Sequence, residues 1–227
     1  MNIHFSNSEH EHYLSMAAEY DNRLNAILPR NELFFSSCLS FIPEDQITLL
    51  ELGSGTGYAT YKIHEVNPRA VITCIDHSAE MIACARQKSD LESVQILKQD
   101  IRDPWPDEQY NVIMTTLCLH HITREDRLFL LHRVYNALIP GGLFICGDII
   151  RPDSEVAEKI YREHWIKYMI QSGLSMEEIN KITTSRRVNF PEMETIGGLY
   201  KKLKEIGFSP ILIPYSYEIS AIFIGYR

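Results

Sequence analysis

Glycine stands at alternate positions in Gly53-Ser54-Gly55-Thr56-Gly57, directly after the apolar run Leu49-Leu50-Glu51-Leu52. Asp76 closes a second, β-branched run, Asp100 a third, and His120-His121 follows a fourth. Glycine accepts φ > 0 and has no Cβ to hold a ligand off the backbone. A helix that starts at such a turn offers free N–H groups and the positive end of its dipole. A carboxylate at the end of the next strand accepts the hydroxyls of a ribose. One at the end of the third can take an exocyclic amino group. The pattern implies capture of a nucleoside-bearing ligand at the carboxyl edge of a parallel sheet.

Spacing narrows the ligand. The dinucleotide pattern G-x-G-x-x-G fails in both registers, since its sixth place falls on Tyr58 or on Thr60. Lys62 comes too late to complete a P-loop. Imidazole titrates near neutral pH, so His120 and His121 are candidate general bases for a hydroxyl, thiol or ammonium group. Each could instead be a packed, hydrogen-bonded structural histidine. No metal site is expected there, because no carboxylate follows at ligand spacing. His4, His10 and His12 are expected to be solvent-facing or disordered rather than ligands.

These groups need a scaffold. Strands are expected at Leu49–Leu52, Ala70–Asp76, Val94–Gln99, Tyr110–Thr116 and Leu143–Asp148, nearly continuous in apolar residues. Ser78 is a plausible N-cap with Met81 three places on, at a wall position. Arg124–Leu138 has helical periodicity, and Pro140-Gly141-Gly142 is expected to stop it. The alternation of strand and helix predicts an α/β fold with a doubly wound, mostly parallel seven-stranded sheet. Ile211–Tyr215 and Ser220–Gly225 should add an antiparallel C-terminal pair.

The expected organisation is one domain over residues 1–227. Residues 1–42 are N-terminal helices, with Tyr13, Met16, Ala17, Tyr20, Leu24, Ile27 and Leu28 near helical spacing and Pro29 interrupting. Residues 43–150 are the binding core, 151–192 a helical insertion, and 193–227 the last helix and strands. The N-terminal helices and the insertion are expected to cap the sheet edge. Tyr161, Trp165 and Tyr168 of the insertion suit a planar or apolar ligand if they face a pocket, and core packing if they do not.

Composition fits a soluble enzyme: 45 % hydrophobic and 23 % charged residues over a length of 227. The formal net charge of −8 argues against gripping a nucleic-acid backbone. No run is long enough for a transmembrane helix, and the N-terminus lacks a signal-peptide pattern. The five cysteines form no C-x-x-C pair, so reduced thiols and a cytoplasmic location are expected.

The glycine motif E-x-G-x-G-x-G resembles the first motif of class I S-adenosylmethionine (SAM)-dependent methyltransferases. Asp76, Asp100-Ile101, Leu117–Ile122 and Pro140-Gly141-Gly142 follow in the order found in small bacterial members. The resemblance implies a SAM cofactor and methyl transfer to an oxygen, nitrogen or sulfur of a small molecule, by a monomer or homodimer. It implies that Gly53, Ser54, Gly55 and Gly57 pass under the methionine part of SAM. Asp76 would hold the ribose, His77 and Met81 would flank the adenosine, and Asp100 with Ile101 would contact adenine. Thr116 and Leu117 would close the site near the sulfonium, with Arg30 and Tyr20 as a cover. The insertion, Gly173–Glu178 and Lys204–Phe208 also resemble carboxy-SAM synthases, where Arg186 or Arg187 would pair the extra carboxylate. The same motifs would also serve a tRNA-modifying enzyme that uses SAM, or a non-catalytic SAM-binding module.

Overall fold

A computed structural model describes residues 20–21, 23–106 and 108–227. The expected helical residues Tyr13, Met16 and Ala17, and His4, His10 and His12, lie outside the described residues.

Seven strands form one sheet: β1 (Thr48–Leu52), β2 (Val71–Asp76), β3 (Gln95–Lys98), β4 (Tyr110–Thr116), β5 (Leu138–Ile149), β6 (Ile211–Tyr217) and β7 (Ser220–Tyr226). Their order is β3-β2-β1-β4-β5-β7-β6. The first five pair in parallel, and β7 runs antiparallel to both β5 and β6. The sheet is buried on both faces, which explains the unbroken apolar strands. Successive side chains point to opposite faces. Leu50, Ile113 and Phe144 pack with Leu130, Leu131 and Val134 of α4 (Arg124–Ala137) and with Leu199 and Leu203 of α7 (Ile196–Ile206). Leu49, Val112 and Ile145 pack on the other face against Phe34 and Cys38 of α1 (Asn31–Leu39) and Ile63 of α2 (Tyr58–Val66). Burying each such Leu, Ile or Phe side chain stabilises the fold by about 1.5–3 kcal/mol.

Helical residues 20–27, 22 apart, precede a turn at Pro29-Arg30. Leu24 and Leu28 enter the same core as α1. The short helix α3 (Ala79–Ala85) is N-capped by Ser78, whose hydroxyl accepts from the Met81 N–H. The expected insertion is two helices, α5 (Glu155–Gln171) and α6 (Met176–Asn189). A capping box starts α6: Ser175 accepts from the Glu178 N–H, and Glu178 accepts from the Ser175 N–H. Trp165, Met169 and Ile179 form a satellite core with Ile219.

One boundary differs from expectation. The helix α4 ends at Ala137, and Pro140-Gly141-Gly142 lies inside β5 instead of stopping the helix. The pairing register of β4 and β5 shifts between Tyr110 and Val112, where β5 steps from Leu138 to Leu143. Proline and glycine are tolerated in a strand at such an irregularity. Among the described residues no helix is long and apolar enough to cross a membrane.

Candidate active site

The turn after β1 is anchored to β2. The Gly53 and Ser54 N–H groups both donate to the Ile75 carbonyl, at 2.8 and 3.2 Å. Gly53, Gly55 and Gly57 have φ of 69°, 55° and 72°, a region that L side chains rarely adopt. A Cβ built on Gly53 would lie 2.3 Å from Cys118 Sγ, so the loop after β4 packs directly against this turn. A Cβ on Gly55 meets no protein atom within 4 Å. That open side is where a ligand can reach the backbone. Gly57 caps α2, and its N–H donates to the Ser54 carbonyl.

Asp76 is buried at the end of β2. One carboxylate oxygen accepts from Gly55 N–H at 2.7 Å and the other from Ser78 N–H at 2.8 Å. A carboxylate has about four lone-pair sites, so about two remain for ribose hydroxyls. His77 is exposed beside it, with Nδ1 3.8 Å from Oδ1. Asp100 is taken up more fully. Arg102 donates to it from Nε, Nη2 and the main-chain N–H, which holds its carboxyl below the ordinary range. Ile101 is buried in the α4-side core, and Trp105 Nε1 donates to its carbonyl. Met81 and Thr116 are partly buried at the same sheet edge.

Glu51 is buried beneath α2. Its Oε2 accepts from the Thr60 hydroxyl at 2.5 Å, while Oε1 has no hydrogen-bond partner. Burial pushes this carboxyl up to about 7, against the Thr60 and Cys74 hydrogen bonds that pull it down. A buried, orphaned carboxylate oxygen next to a backbone-lined cradle fits a ligand that carries an ammonium group. The residues present thus fit SAM: the Gly53–Gly57 turn and Glu51 for its amino-acid part, Asp76 for its ribose.

The loop after β4 joins this cradle to a second space. Leu117 has φ 52°, its N–H donates to the Gly147 carbonyl, and Leu119–His121 form a single 3-10 turn. Arg127 holds the turn from below. It is buried and donates to the carbonyls of Leu119, Ile122 and Glu192 and to Glu194 Oε1. Leu117, His120 and His121 line a cavity of about 640 Å³ that also touches Leu24, Trp165 and Ile182. That volume suits a drug-sized ligand. The roof is the N-terminal helix and the insertion, joined by Arg23 and Glu178 at 3.0 Å.

His120 Nδ1 lies 2.6 Å from Asp148 Oδ1, and both side chains are nearly buried. A carboxylate there fixes the proton on Nδ1 and leaves Nε2 as the proton acceptor. His121, the more exposed of the pair, stacks on His120 with centroids 3.9 Å apart. Desolvation and the neighbouring His120 push it down to about 4, so it is neutral at physiological pH. Among the described residues no group of three or more His, Cys, Asp or Glu could hold a metal ion.

The N-terminal helix reaches the cradle as well. Asp21 accepts from the Thr56 hydroxyl and from Lys88, each at 2.5 Å. Tyr20 lines the cavity, and its phenol is pushed up to about 12 by burial and then by Asp21, Cys118 and Asp76. Arg30 does not join it: its guanidinium stacks on Tyr217 at 4.1 Å. Of the insertion aromatics only Trp165 lines the cavity, with Nε1 donating to the Ile27 carbonyl. The Tyr168 hydroxyl bonds the Asn25 carbonyl instead. Neither arginine considered for an extra carboxylate offers an unmet charge in the cavity. Arg186 forks onto Glu158, and Arg187 lines a separate shallow groove. Sequence reasoning passed over Glu51 as a ligand group, and over Asp148, Arg127 and Asp21 altogether. Only the acidic end of the β5 run hinted at Asp148.

Residues 50–146 match a family model described as a methyltransferase domain. A demethylmenaquinone methyltransferase of Staphylococcus epidermidis is 26 % identical over 186 residues, covering 78 % of this chain and 75 % of that protein. A carboxy-S-adenosyl-L-methionine synthase of Pseudomonas putida is 28 % identical over 174 residues, covering 72 % and 70 %. The solved structure of DhpI with S-adenosylhomocysteine (SAH) superposes with a TM-score of 0.63 at 22 % identity, over 95 % of this chain and 93 % of that one, a likeness of fold. The segment 50–146, which carries the cradle and the acidic strand ends, is thus similar to a methyltransferase domain.

Proposed function

We propose that the chain moves the methyl group of SAM to an oxygen, nitrogen or sulfur atom of a small molecule held in the 640 Å³ cavity. One observation carries this reading: the loop 117–121 touches both spaces. Cys118 packs under Gly53 of the cradle, while Leu117, His120 and His121 line the cavity.

SAM in the cradle supplies an activated methyl carbon, so the protein has to position and desolvate more than it has to activate. Gly55 and Asp76 would hold the nucleoside, and Glu51 would meet the ammonium group. Asp100 with Ile101 and Met81 would border the adenine, while Thr116 and Leu117 would close the space near the reacting carbon. His120 takes the proton of the acceptor at Nε2, and Asp148 keeps the imidazole in that tautomer. Neutral His121 orients the same acceptor by hydrogen bonding. Among the described residues, the N-terminal helix and residues 151–192 act as a cap on one catalytic domain. Five free cysteines suit a reducing cytoplasm, and the net charge of −8 disfavours a nucleic-acid acceptor.

Calorimetric titration with SAM and SAH, repeated on Asp76→Ala, tests the cofactor. Hydrogen bonds to a charged acceptor contribute about 1.5–3 kcal/mol each, so the variant should bind at least tenfold more weakly. An acceptor screen for transfer of labelled methyl then follows. A wild-type protein that binds neither compound refutes the reading, and binding without turnover on any acceptor favours a non-catalytic module.

A further inference from the structure

The cavity wall contains a buried cation with incomplete hydrogen bonding. Arg186 of α6 is 4 % exposed. Its Nε and Nη2 donate to the two carboxylate oxygens of Glu158 at 2.9 and 2.7 Å, and Nη2 also reaches the Ile150 carbonyl at 3.2 Å. Among the described residues its Nη1 has only the Met193 thioether, at 3.6 Å. A thioether is a weak acceptor, while Nη1 carries two N–H donors. Met193 and Arg186 both line the cavity.

The charges of the lining are already matched. Glu158 neutralises Arg186, Glu178 faces Arg23 at 3.0 Å, and Glu177 faces Lys181 at 2.9 Å. The remaining wall is largely apolar, with Leu24, Ile27, Ile182 and Trp165. A carboxylate brought here would add a buried charge with no countercharge to meet it. A neutral oxygen would satisfy Nη1 and leave the charge balance intact.

Building on the methyl-transfer reading, we propose that the acceptor is an uncharged, mainly apolar molecule with a hydroxyl for His120 and a carbonyl-type oxygen for Nη1 of Arg186. A hydroxyaryl ketone is the simplest such compound. The reaction balances as displacement: the new oxygen–methyl bond forms as the sulfur–methyl bond breaks, the hydroxyl proton goes to His120, and SAH leaves.

The test uses the full chain saturated with SAH and three probes: 4′-hydroxychalcone, 4-hydroxystilbene, which lacks the ketone, and 4′-hydroxy-4-carboxychalcone. The ketone should bind at least tenfold tighter than the stilbene and about a hundredfold tighter than the carboxylate. In the charge-neutral double variant Glu158→Gln/Arg186→Met the advantage over the stilbene should vanish. Tighter binding of the carboxylate, equal binding of ketone and stilbene, or no probe binding to SAH-loaded protein each overturns the proposal. An advantage that survives in a folded double variant overturns the assignment to Arg186. Failure of SAH itself to bind is read separately, in the titration without probes; it removes the methyl-transfer reading and this inference with it.

Discussion

Gly53 and Gly55 make a matched pair of opposite consequence. Both have positive φ, so alanine at either carries the same backbone penalty of roughly 1–2 kcal/mol. At Gly55 the new Cβ meets no protein atom within 4 Å. For a chain of this size a kcal/mol shifts Tm by about 2–4 °C, so Gly55→Ala should lose roughly 2–8 °C. Its methyl projects into the ligand space instead, where overpacking costs about 1–3 kcal/mol, or roughly 5- to 150-fold in SAH affinity. At Gly53 the Cβ would sit 2.3 Å from Cys118 Sγ and 2.8 Å from Cys118 Cβ. The loop must retreat by more than an ångström to reach ordinary contact distance. That adds about 1–3 kcal/mol to the folding penalty, and Cys118→Gly in the same chain should recover this added part alone. Thermal unfolding without ligand and calorimetric titration with SAH separate the two effects. A stable Gly55→Ala that binds SAH like wild type would refute the placement of the ligand face. A Gly53→Ala no less stable than Gly55→Ala would refute the close packing of Cys118 on the turn.

Three further outcomes concern titration and catalysis. The Glu51 carboxyl is raised in the fold from 4.5 to about 7, so the folded state favours its protonated form. Its contribution is neutral below about pH 4.5 and becomes destabilising as pH rises towards 7, on the order of 3 kcal/mol in all. Glu51→Gln lacks this loss, so its Tm should gain on wild type between pH 5 and 7 and level off above. An ammonium group beside Glu51 draws it back to the ionised form. SAH binding at pH 7 should therefore release about half a proton, seen as a calorimetric enthalpy that depends on the buffer; a buffer-independent enthalpy counts against the pairing. Asp148→Asn removes the charge that orients His120 through the 2.6 Å contact. A charge-assisted hydrogen bond of about 1.5–3 kcal/mol predicts a drop in kcat of ten- to a hundredfold with SAH affinity unchanged. An unaltered kcat would make His120 a structural histidine.

The parts of this architecture visible in the sequence are those that local chemistry dictates. Three alternate glycines after an apolar run demand a turn that few other residues can make, and Asp76 ends a run that could only be a buried strand. The doubly wound, mostly parallel sheet followed because β–α alternation leaves few ways to wind one, while its strand order came only with the structure. What stayed hidden is made by distant segments. Asp148 meets His120 from the next strand, Asp21 meets Lys88 across 67 positions, and Arg127 meets Glu194 across the same separation. No spacing rule encodes such pairs, since folding alone brings them together. Pro140-Gly141-Gly142 misled for a related reason. Its local preference marks a helix stop, while the partner strand at Tyr110–Val112 draws it into a ladder with a register break.

The bond set of Asp21 has a consequence for the order of events in turnover. One helix is fastened to the glycine turn through Thr56 and to the end of α3 through Lys88, and its next turns, at Leu24, Ile27 and Leu28, wall the acceptor cavity. The glycine turn and the cavity therefore share one wall. An ordered turnover is the expected outcome: SAH should inhibit competitively with SAM and not with the acceptor, and competition with both would show that the two spaces fill independently.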